Sequence, residues 1–273
     1  MKIGKLRVEP VFDGELWLDG GAMFGVVPRK LWAEVAPPDT DNRIRLGMYP
    51  LLLFTEPLTL IDTGVSNKSN EKMKKIYAID GGHLLESLAS FDVKPDDIGI
   101  VINTHLHFDH GGGNTWQFDD GIRPTFPKAR YIVQKKEWAD ATNPNERTRA
   151  SYLKENLEPI KDQVETVDGE HQILPGIFVV PTGGHTPGHQ IIRIESEGKI
   201  AVYLGDLIPT VAHLPLPYIM GYDLMPVETL NKKKELLARA AREDWILFFE
   251  HDPKIRCGKV RENEGKYELQ PIS

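Results

Sequence analysis

A dense group of metal-ligand side chains lies near the middle of the chain. His105, His107, Asp109 and His110 occur within six consecutive residues, and the glycines Gly111–Gly113 follow directly. Side chains two positions apart point to the same side of an extended chain, so His105 and His107 can face one point. Glycines let the backbone turn tightly and approach a bound ion. Because imidazole and carboxylate groups are ligands of zinc, manganese, iron and cobalt, the cluster predicts a metal site.

Three further ligand-type side chains occur later in the chain, and they are His185, Asp206 and His251. Each of them follows a run of apolar residues that predicts a strand. The C-terminal ends of strands are where α/β sheets usually place their ligand sites. We therefore expect the three side chains to join the central cluster at one edge of the fold.

The elements that must position these side chains are short apolar runs that alternate with helical patterns. Apolar runs bounded by turn residues predict strands, whereas apolar residues at three- and four-residue spacing predict helices. This order favours an α/β fold in which two sheets lie back to back and helices cover their outer faces. The predicted strands are 51–54, 58–61 (a hairpin with the first), 98–102, 131–133, 177–180, 191–194, 200–204 and 245–249, and the predicted helices are 71–79, 84–90, 147–156 and 227–242.

Composition narrows the class of protein. The 273 residues suit one domain, 1–273, with a sizeable core, and a glycine- and tryptophan-containing excursion at about 17–48 departs from the regular pattern. A net charge of -7 argues against nucleic-acid binding, and the lysine run 232–234 is interpreted as a solvated helix face. One cysteine excludes an intrachain disulfide, and no segment is apolar enough to serve as a signal peptide or to span a bilayer. We expect a cytoplasmic enzyme with a small-molecule substrate and no nucleic-acid or membrane partner; a homodimer stays open.

The ligand residues form an ordered set with a known counterpart. The set comprises His-x-His-x-Asp-His at 105–110, Gly-His-Thr-Pro-Gly-His at 184–189, Gly-Asp at 205–206 and a late histidine at 251, preceded by Ile-Asp-Thr-Gly at 61–64. It resembles the metallo-β-lactamase superfamily, and the resemblance runs from about residue 50 to about residue 252. It implies a four-layer αβ/βα sandwich with the metal site at one edge of the two sheets.

The resemblance also implies a role for each ligand. One metal would be held by His105, His107 and His185, the second by Asp109, His110 and His251, and Asp206 would bridge both together with a water or hydroxide. The implied cofactor is two divalent metal ions, with zinc favoured and manganese, cobalt or iron also compatible. Two such ions lower the pKa of the bridging water, and the hydroxide attacks a carbonyl or phosphoryl centre. Asp109 and Asp206 are the predicted catalytic residues, because Asp109 is placed to orient the water and transfer its proton.

Further residues are assigned to the support of the ligands or to the substrate pocket. Asp62 would fix a ligand histidine, with a turn or capping carboxylate as the alternative. His189 would buttress the loop of His185. His213 would line the pocket or simply pack its own loop. Met23 and Phe24 lie in a glycine-flanked apolar segment that could form a pocket wall, a lid, a dimer contact or plain core.

The layout resembles most closely the N-acyl homoserine lactonase and organophosphate-hydrolase-like group. Many lactonases carry a tyrosine three residues after the bridging aspartate, but this chain has Pro209, and Tyr218 or Tyr222 could take its place. We predict hydrolysis of a lactone, ester or phosphoester that has an apolar portion, with a lactone favoured. The alternatives are a glyoxalase II-like thioesterase and a non-hydrolytic iron-binding or oxidative protein on the same fold.

Overall fold

The first of two large sheets is formed mainly by the first half of the chain. The structure is a computed structural model that describes residues 1–272. With elements numbered in chain order, this sheet contains, from one edge to the other, β1 (Lys2–Ile3), β2 (Leu6–Pro10), β5 (Leu51–Leu53), β6 (Leu58–Ile61), β8 (Ile98–Ile102), β11 (Arg130–Gln134) and β12 (Val164–Val167). The strands from β1 to β6 pair antiparallel, and those from β6 to β12 pair parallel.

The second large sheet is formed by the last third of the chain. Its strands, in spatial order, are β13 (His171–Leu174), β14 (Ile177–Pro181), β15 (Gln190–Ser196), β16 (Lys199–Tyr203), β17 (Ile246–Phe248), β18 (Cys257–Asn263) and β19 (Lys266–Pro271). Only β16 and β17 pair parallel, and the long crossover between them contains the longest helix. The remaining strands are β3 (Gly14–Asp19), β4 (Arg43–Met48) and β7 (Asp80–Gly81) in a small third sheet, and the hairpin of β9 (Thr115–Phe118) and β10 (Gly121–Pro124).

Alternating apolar side chains hold the layers together. Ile100 and Ile102 of β8 face Ile192 of β15 in the core between the two large sheets. On the outer faces, Val101 packs with the helix 84–89, and Val202 packs with the helix 226–243. Burial of apolar surface from water drives both contacts. The helices are α1 (Gly20–Phe24), α2 (Arg29–Val35), α3 (Glu71–Tyr77), α4 (Leu84–Ala89), α5 (Lys135–Thr142), α6 (Lys154–Leu157) and α7 (Pro226–Glu243).

The order helix, sheet, sheet, helix confirms the predicted four-layer αβ/βα sandwich. Every predicted strand is present, and 51–53 and 58–61 form the expected antiparallel hairpin. The division of the chain into one domain over 1–273 stays a prediction. Among residues 1–272, no helix is both long and apolar enough to cross a membrane.

The predicted helix over 147–156 is wrong, because the first half of this segment is a turn. The side-chain oxygen of Asn145 accepts hydrogen bonds from the backbone N–H groups of Arg147 and Thr148 at 2.9 and 3.2 Å. These are the bonds of a helix N-cap, and here they hold a single turn that does not continue as a helix. Helix resumes only at Lys154–Leu157.

The interpretation of residues 232–234 as a solvated face is wrong for Lys233. Its side chain is fully buried, and Nζ donates to the backbone carbonyls of His213 at 2.7 Å and Tyr218 at 2.7 Å. Burial lowers the pKa of Lys233 to about 7. The lysine therefore fastens the loop after Asp206 onto α7 instead of facing water.

The excursion near the N-terminus is an ordered layer over one end of the sandwich. Strands β3 and β4 pair along their whole length, and α1 and α2 lie between them in the chain. Phe24, Trp32 and Leu46 form an apolar cluster there, which also includes Phe108 of the ligand loop. The excursion thus reaches the metal-ligand residues through direct packing.

Candidate metal centre and substrate cavity

Four loops, each following a strand, carry the predicted metal ligands to one end of the sandwich. The loop after β8 carries residues 105–110, and the loops after β14, β16 and β17 carry His185, Asp206 and His251. The ligand atoms of these residues form three overlapping groups, each within 4.8 Å. The groups are His105 with His107 and His185, His105 with His110 and Asp206, and Asp109 with His110 and His251.

Asp206 lies between the two histidine sets. Its Oδ2 atom is 3.1 Å from Nε2 of His185 and 3.9 Å from Nε2 of His105. Its Oδ1 atom is 3.4 Å from Nε2 of His251 and 3.5 Å from Nε2 of His110. One carboxylate oxygen therefore faces each set, an arrangement that suits a carboxylate shared by two ions.

Hydrogen bonds on the far side of the rings determine which nitrogen faces the centre. Nδ1 of His251 lies 2.8 Å from the carbonyl oxygen of Gly47, so Nδ1 must carry the proton and donate. Nδ1 of His185 likewise donates to Oδ1 of Asp223 at 2.9 Å. In a neutral ring, Nε2 then presents a bare lone pair to the centre.

These lone pairs converge without a donor between them, which fits a cation. Nε2 of His251 and Nε2 of His110 are 3.0 Å apart. Nε2 of His105 and Oδ1 of Asp206 are buried and have no hydrogen-bond partner within residues 1–272. Buried polar atoms are nearly always satisfied, and unsatisfied ones call for an explanation such as a bound ion. The donor set of imidazole nitrogens and carboxylates matches divalent transition metals.

The pKa shifts of Asp206, His105 and His107 favour the metal-binding protonation states, whereas for His110, His185 and His251 burial lowers the pKa but nearby carboxylates outweigh it and raise it. Burial raises the pKa of Asp206, but His110 and His185 outweigh that effect and hold it well below its usual value. Burial and, next, repulsion from neighbouring histidines lower the pKa values of His105 and His107 well below their usual value. Ionised carboxylate and neutral imidazole are the protonation states that bind metal.

Asp62 and Glu250 lie behind His110. Oδ2 of Asp62 is 3.1 Å from Nδ1 of His110, and Oδ1 of Asp62 accepts from the backbone N–H of Thr104 at 2.7 Å. Oε2 of Glu250 is 2.7 Å from the same Nδ1, and burial raises the pKa of Glu250 to about 7. The hydrogen bond from Nδ1 to Asp62 fixes the ring orientation of His110 and leaves Nε2 for a metal.

His189 supports the backbone around the bridge. Its Nδ1 lies 2.6 Å from Oγ1 of Thr182, and its Nε2 accepts a hydrogen bond from the backbone N–H of Asp206 at 3.1 Å. An Nε2 atom used as this acceptor is not a free ligand. The contacts match the buttressing role predicted for His189 and extend it to Asp206.

Glu137, which the sequence did not reveal, ties together the two ligand loops of one set. Its Oε1 accepts from the backbone N–H of Leu106 at 2.9 Å and from the hydroxyl of Tyr152 at 2.9 Å, and its Oε2 accepts from Oγ1 of Thr186 at 2.5 Å. Burial raises the pKa of Glu137. A single carboxylate in the first turn of α5 therefore positions residues adjacent to His107 and His185.

Sequence reasoning missed three residues that lie behind the predicted ligands, and these are Glu137, Asp223 and Glu250. Two of them carry no local signal. Glu137 lies in an ordinary helical segment, and Asp223 lies in a loop 38 positions from the histidine that it contacts. Glu250 could have been identified from the sequence. It is a charged residue between a run of apolar residues and the predicted ligand His251.

A cavity of about 390 Å³ opens over the ligand cluster. Its floor contains Asp109, Asp206 and ligand histidines. Of the predicted pocket residues, Met23 and Tyr222 line it. The other apolar lining residues are Leu18, Ala22, Leu46, Phe108, Met220 and Leu224. A largely apolar cavity with a few convergent polar groups is typical of a small-molecule site.

Phe24, His213 and Tyr218, predicted as possible pocket residues, lie behind the wall instead. The Phe24 ring stacks on His213 with 4.5 Å between ring centroids and meets Tyr218 edge-on at 5.8 Å. His213 is buried, and its Nε2 donates to the backbone carbonyl of Met23 at 2.8 Å. Phe24 and His213 are buried and Tyr218 is partly buried in this packing, so the three side chains support the wall instead of lining the cavity.

The fold and the ligand cluster together define a metal-dependent hydrolase. The family model described as "Metallo-beta-lactamase superfamily" matches residues 51–251, and the chain belongs to this superfamily. An N-acyl homoserine lactonase of Bacillus thuringiensis is 31% identical over 225 residues, covering 77% of this chain and 82% of that protein. These findings confirm the resemblance drawn from the ligand motifs.

Solved structures agree with this membership. A probable metal-dependent hydrolase from Staphylococcus aureus is 32% identical and superimposes over 100% of both chains with a TM-score of 0.92. A dizinc quorum-quenching lactonase called AidC, solved with a product, shares the fold at 24% identity and a TM-score of 0.83, over 100% of this chain and 96% of that one.

Proposed function

We propose that the protein uses two divalent cations, with zinc favoured, to hydrolyse a lactone, ester or phosphoester that has an apolar portion, and that a lactone is the preferred substrate. The observation that carries this proposal is the position of Asp206, whose two oxygens face different histidine sets. The 31% identity to a bacterial N-acyl homoserine lactonase supports the choice of a lactone. The apolar wall of the cavity supports an apolar substituent on the substrate.

The protein's own residues divide the work of the reaction. When bound, two cations would polarise the scissile carbonyl and acidify a water molecule. In this proposal one ion is held by His105, His107 and His185, the other by Asp109, His110 and His251, and both by Asp206. We assign Asp109 to orienting the attacking water and accepting its proton, and its position in the cavity lining, 3.9 Å from Nε2 of His251, supports this role.

The function is tested with a substrate panel. The protein, reconstituted with zinc, manganese or cobalt, is assayed on an N-acyl homoserine lactone, a γ-lactone, an aryl ester, a thioester, a phosphotriester and a β-lactam. We expect the highest kcat/KM on a lactone with an apolar chain and loss of turnover after chelation. Redox-active iron in the purified protein with no turnover of any member would contradict the hydrolase proposal, and preference for the thioester would favour the glyoxalase II-like alternative.

A further inference from the structure

One turn of the chain supplies three polar side chains to the cavity lining. Arg147, Thr148 and Ser151 line the cavity. The side-chain oxygen of Asn145 accepts hydrogen bonds from the backbone N–H groups of Arg147 and Thr148 and so holds this turn.

Arg147 belongs to a chain of hydrogen bonds that links three segments at the opening of the cavity. Its Nη2 donates to the backbone carbonyl of Gly221 at 3.0 Å. The backbone N–H of Gly221 in turn donates to the carbonyl of Ala22 in α1 at 2.8 Å. The guanidinium is therefore held at the mouth by one of its five N–H donors, and the others stay available.

The charge of Arg147 is unmatched within the cavity wall. It is the only lysine or arginine among the described residues that line the cavity, and it is exposed to solvent. No carboxylate of residues 1–272 forms a salt bridge with it; its recorded side-chain partner is the Gly221 carbonyl. Met23, Leu46 and Met220 also line the cavity and are apolar. The cavity thus combines a largely apolar lining with a single cationic side chain.

From this polarity we propose that Arg147 determines specificity by binding a second oxygen acceptor of the substrate, separate from the scissile carbonyl. The acceptor is an amide carbonyl or a carboxylate. Arginine presents a planar fork of donors that suits such oxygens. The inference rests on the proposed function, and it narrows the substrate class to lactones or esters that carry both an apolar chain and an additional acceptor.

The experiment compares lactones that differ only in this acceptor. The substrates are N-hexanoyl homoserine lactone, which has an amide; γ-decalactone, which has none; and a γ-lactone of equal chain length that ends in a carboxylate. The variants are Arg147→Met, which keeps an apolar stem, and Arg149→Met, an exposed neighbour that does not line the cavity. Metal content and the thermal unfolding midpoint are measured for each variant.

We expect Arg147→Met to lose about 10- to 100-fold in kcat/KM on a lactone that carries the acceptor, mainly through KM, because a hydrogen bond to a charged group is lost. The loss on γ-decalactone is expected to stay below about 3-fold, and Arg149→Met is expected to match the wild type. A larger effect on the amide than on the carboxylate identifies a neutral acceptor, and the reverse identifies an anionic one. An equal loss on all three lactones would overturn the proposal and leave Arg147 as a structural latch on Gly221.

A binding measurement separates this inference from the proposed function. The corresponding γ-lactams, in which N–H replaces the ring oxygen, are titrated calorimetrically into the metal-loaded protein. Weaker binding of the amide- or carboxylate-bearing lactam to Arg147→Met, with unchanged binding of the plain lactam, supports the inference even if no lactone is turned over. Identical lactam affinities in the wild type and in Arg147→Met would refute it.

Discussion

The ligand cluster and the cavity wall are built on different physical principles. All of the predicted ligand side chains except His107 are buried, and hydrogen bonds from behind hold several of them, such as Asp223 behind His185 and Gly47 behind His251. The wall is supplied by loops and by the small N-terminal layer, and its residues Arg147 and Tyr222 are exposed. A centre that binds cations must be rigid to define their geometry, whereas a wall built on loops can change substrate preference without disturbing that centre.

The largest effect on activity is expected at Asp206, the proposed bridge between the two ions. Asp206→Ala removes both oxygens that face the two histidine sets, so activity should fall roughly a thousandfold or more, since metal polarisation of the reacting centre contributes several kcal/mol. The measurement is kcat/KM on the best lactone of the panel. Asp119→Asn, which changes an exposed carboxylate, serves as the control. Full activity in Asp206→Ala would refute the role of the bridge.

A smaller effect is expected where the cluster is supported from behind. Glu137→Gln keeps the shape of the side chain but replaces one acceptor oxygen with an NH2 group, so it cannot accept from Leu106, Tyr152 and Thr186 alike. Changes in such supporting partners typically weaken metal affinity by about 10- to 100-fold. Competition with a chelator of known affinity measures this change.

The control for Glu137 is Glu34→Gln, an exposed carboxylate in α2. If Glu137→Gln lowers the thermal midpoint while metal affinity stays at the wild-type value, Glu137 serves only the fold. Weakened affinity for both ions equally would also contradict its placement next to one histidine set.

The smallest effect concerns the support of the wall and depends on pH. Burial lowers the pKa of His213 to about 4, from 6.5 in the unfolded chain. Between these values the unfolded chain binds a proton that the folded chain does not, so His213 makes the protein less stable as pH falls below about 6.5. By linkage, this residue alone should cost about 1 kcal/mol between pH 7.5 and pH 5.5.

His213→Gln removes this titration and keeps a side-chain donor for the Met23 carbonyl. In the variant, the free energy of unfolding should fall by about 1 kcal/mol less than in the wild type over the same pH range. Urea denaturation at the two pH values, with metal held constant, measures the difference. Parallel pH profiles for the two proteins would show that His213 is not the group that titrates.

The same contrast explains what could be predicted from the sequence. The predicted ligands could be selected from the sequence because His105, His107, Asp109 and His110 lie within six residues, and His185, Asp206 and His251 each follow an apolar strand. The sandwich fold could be predicted because the spacing of apolar residues along the chain differs between strands and helices. Both signals are local and therefore survive without knowledge of the tertiary structure.

What could not be predicted depends on contacts between distant segments. Lys233 lies in a lysine run that is typical of a solvated helix face, but the carbonyls of the 213–218 loop bind its side chain. Residues 147–151 matched a helical period, but the chain makes only one turn there, capped by Asn145, before the helix at Lys154–Leu157. Phe24 ends α1 and His213 lies in the loop after Asp206, and their stacking on each other, which local sequence does not reveal, keeps both behind the cavity wall.

The central claim, that Asp206 bridges two ions, is tested most directly by counting metal. The protein is reconstituted with zinc, freed of excess metal, and measured by inductively coupled plasma mass spectrometry alongside Asp206→Ala. The account predicts two ions per chain in the wild type and one or fewer in the variant, with both proteins folded by circular dichroism. One ion per chain in the wild type, or two in Asp206→Ala, would contradict it.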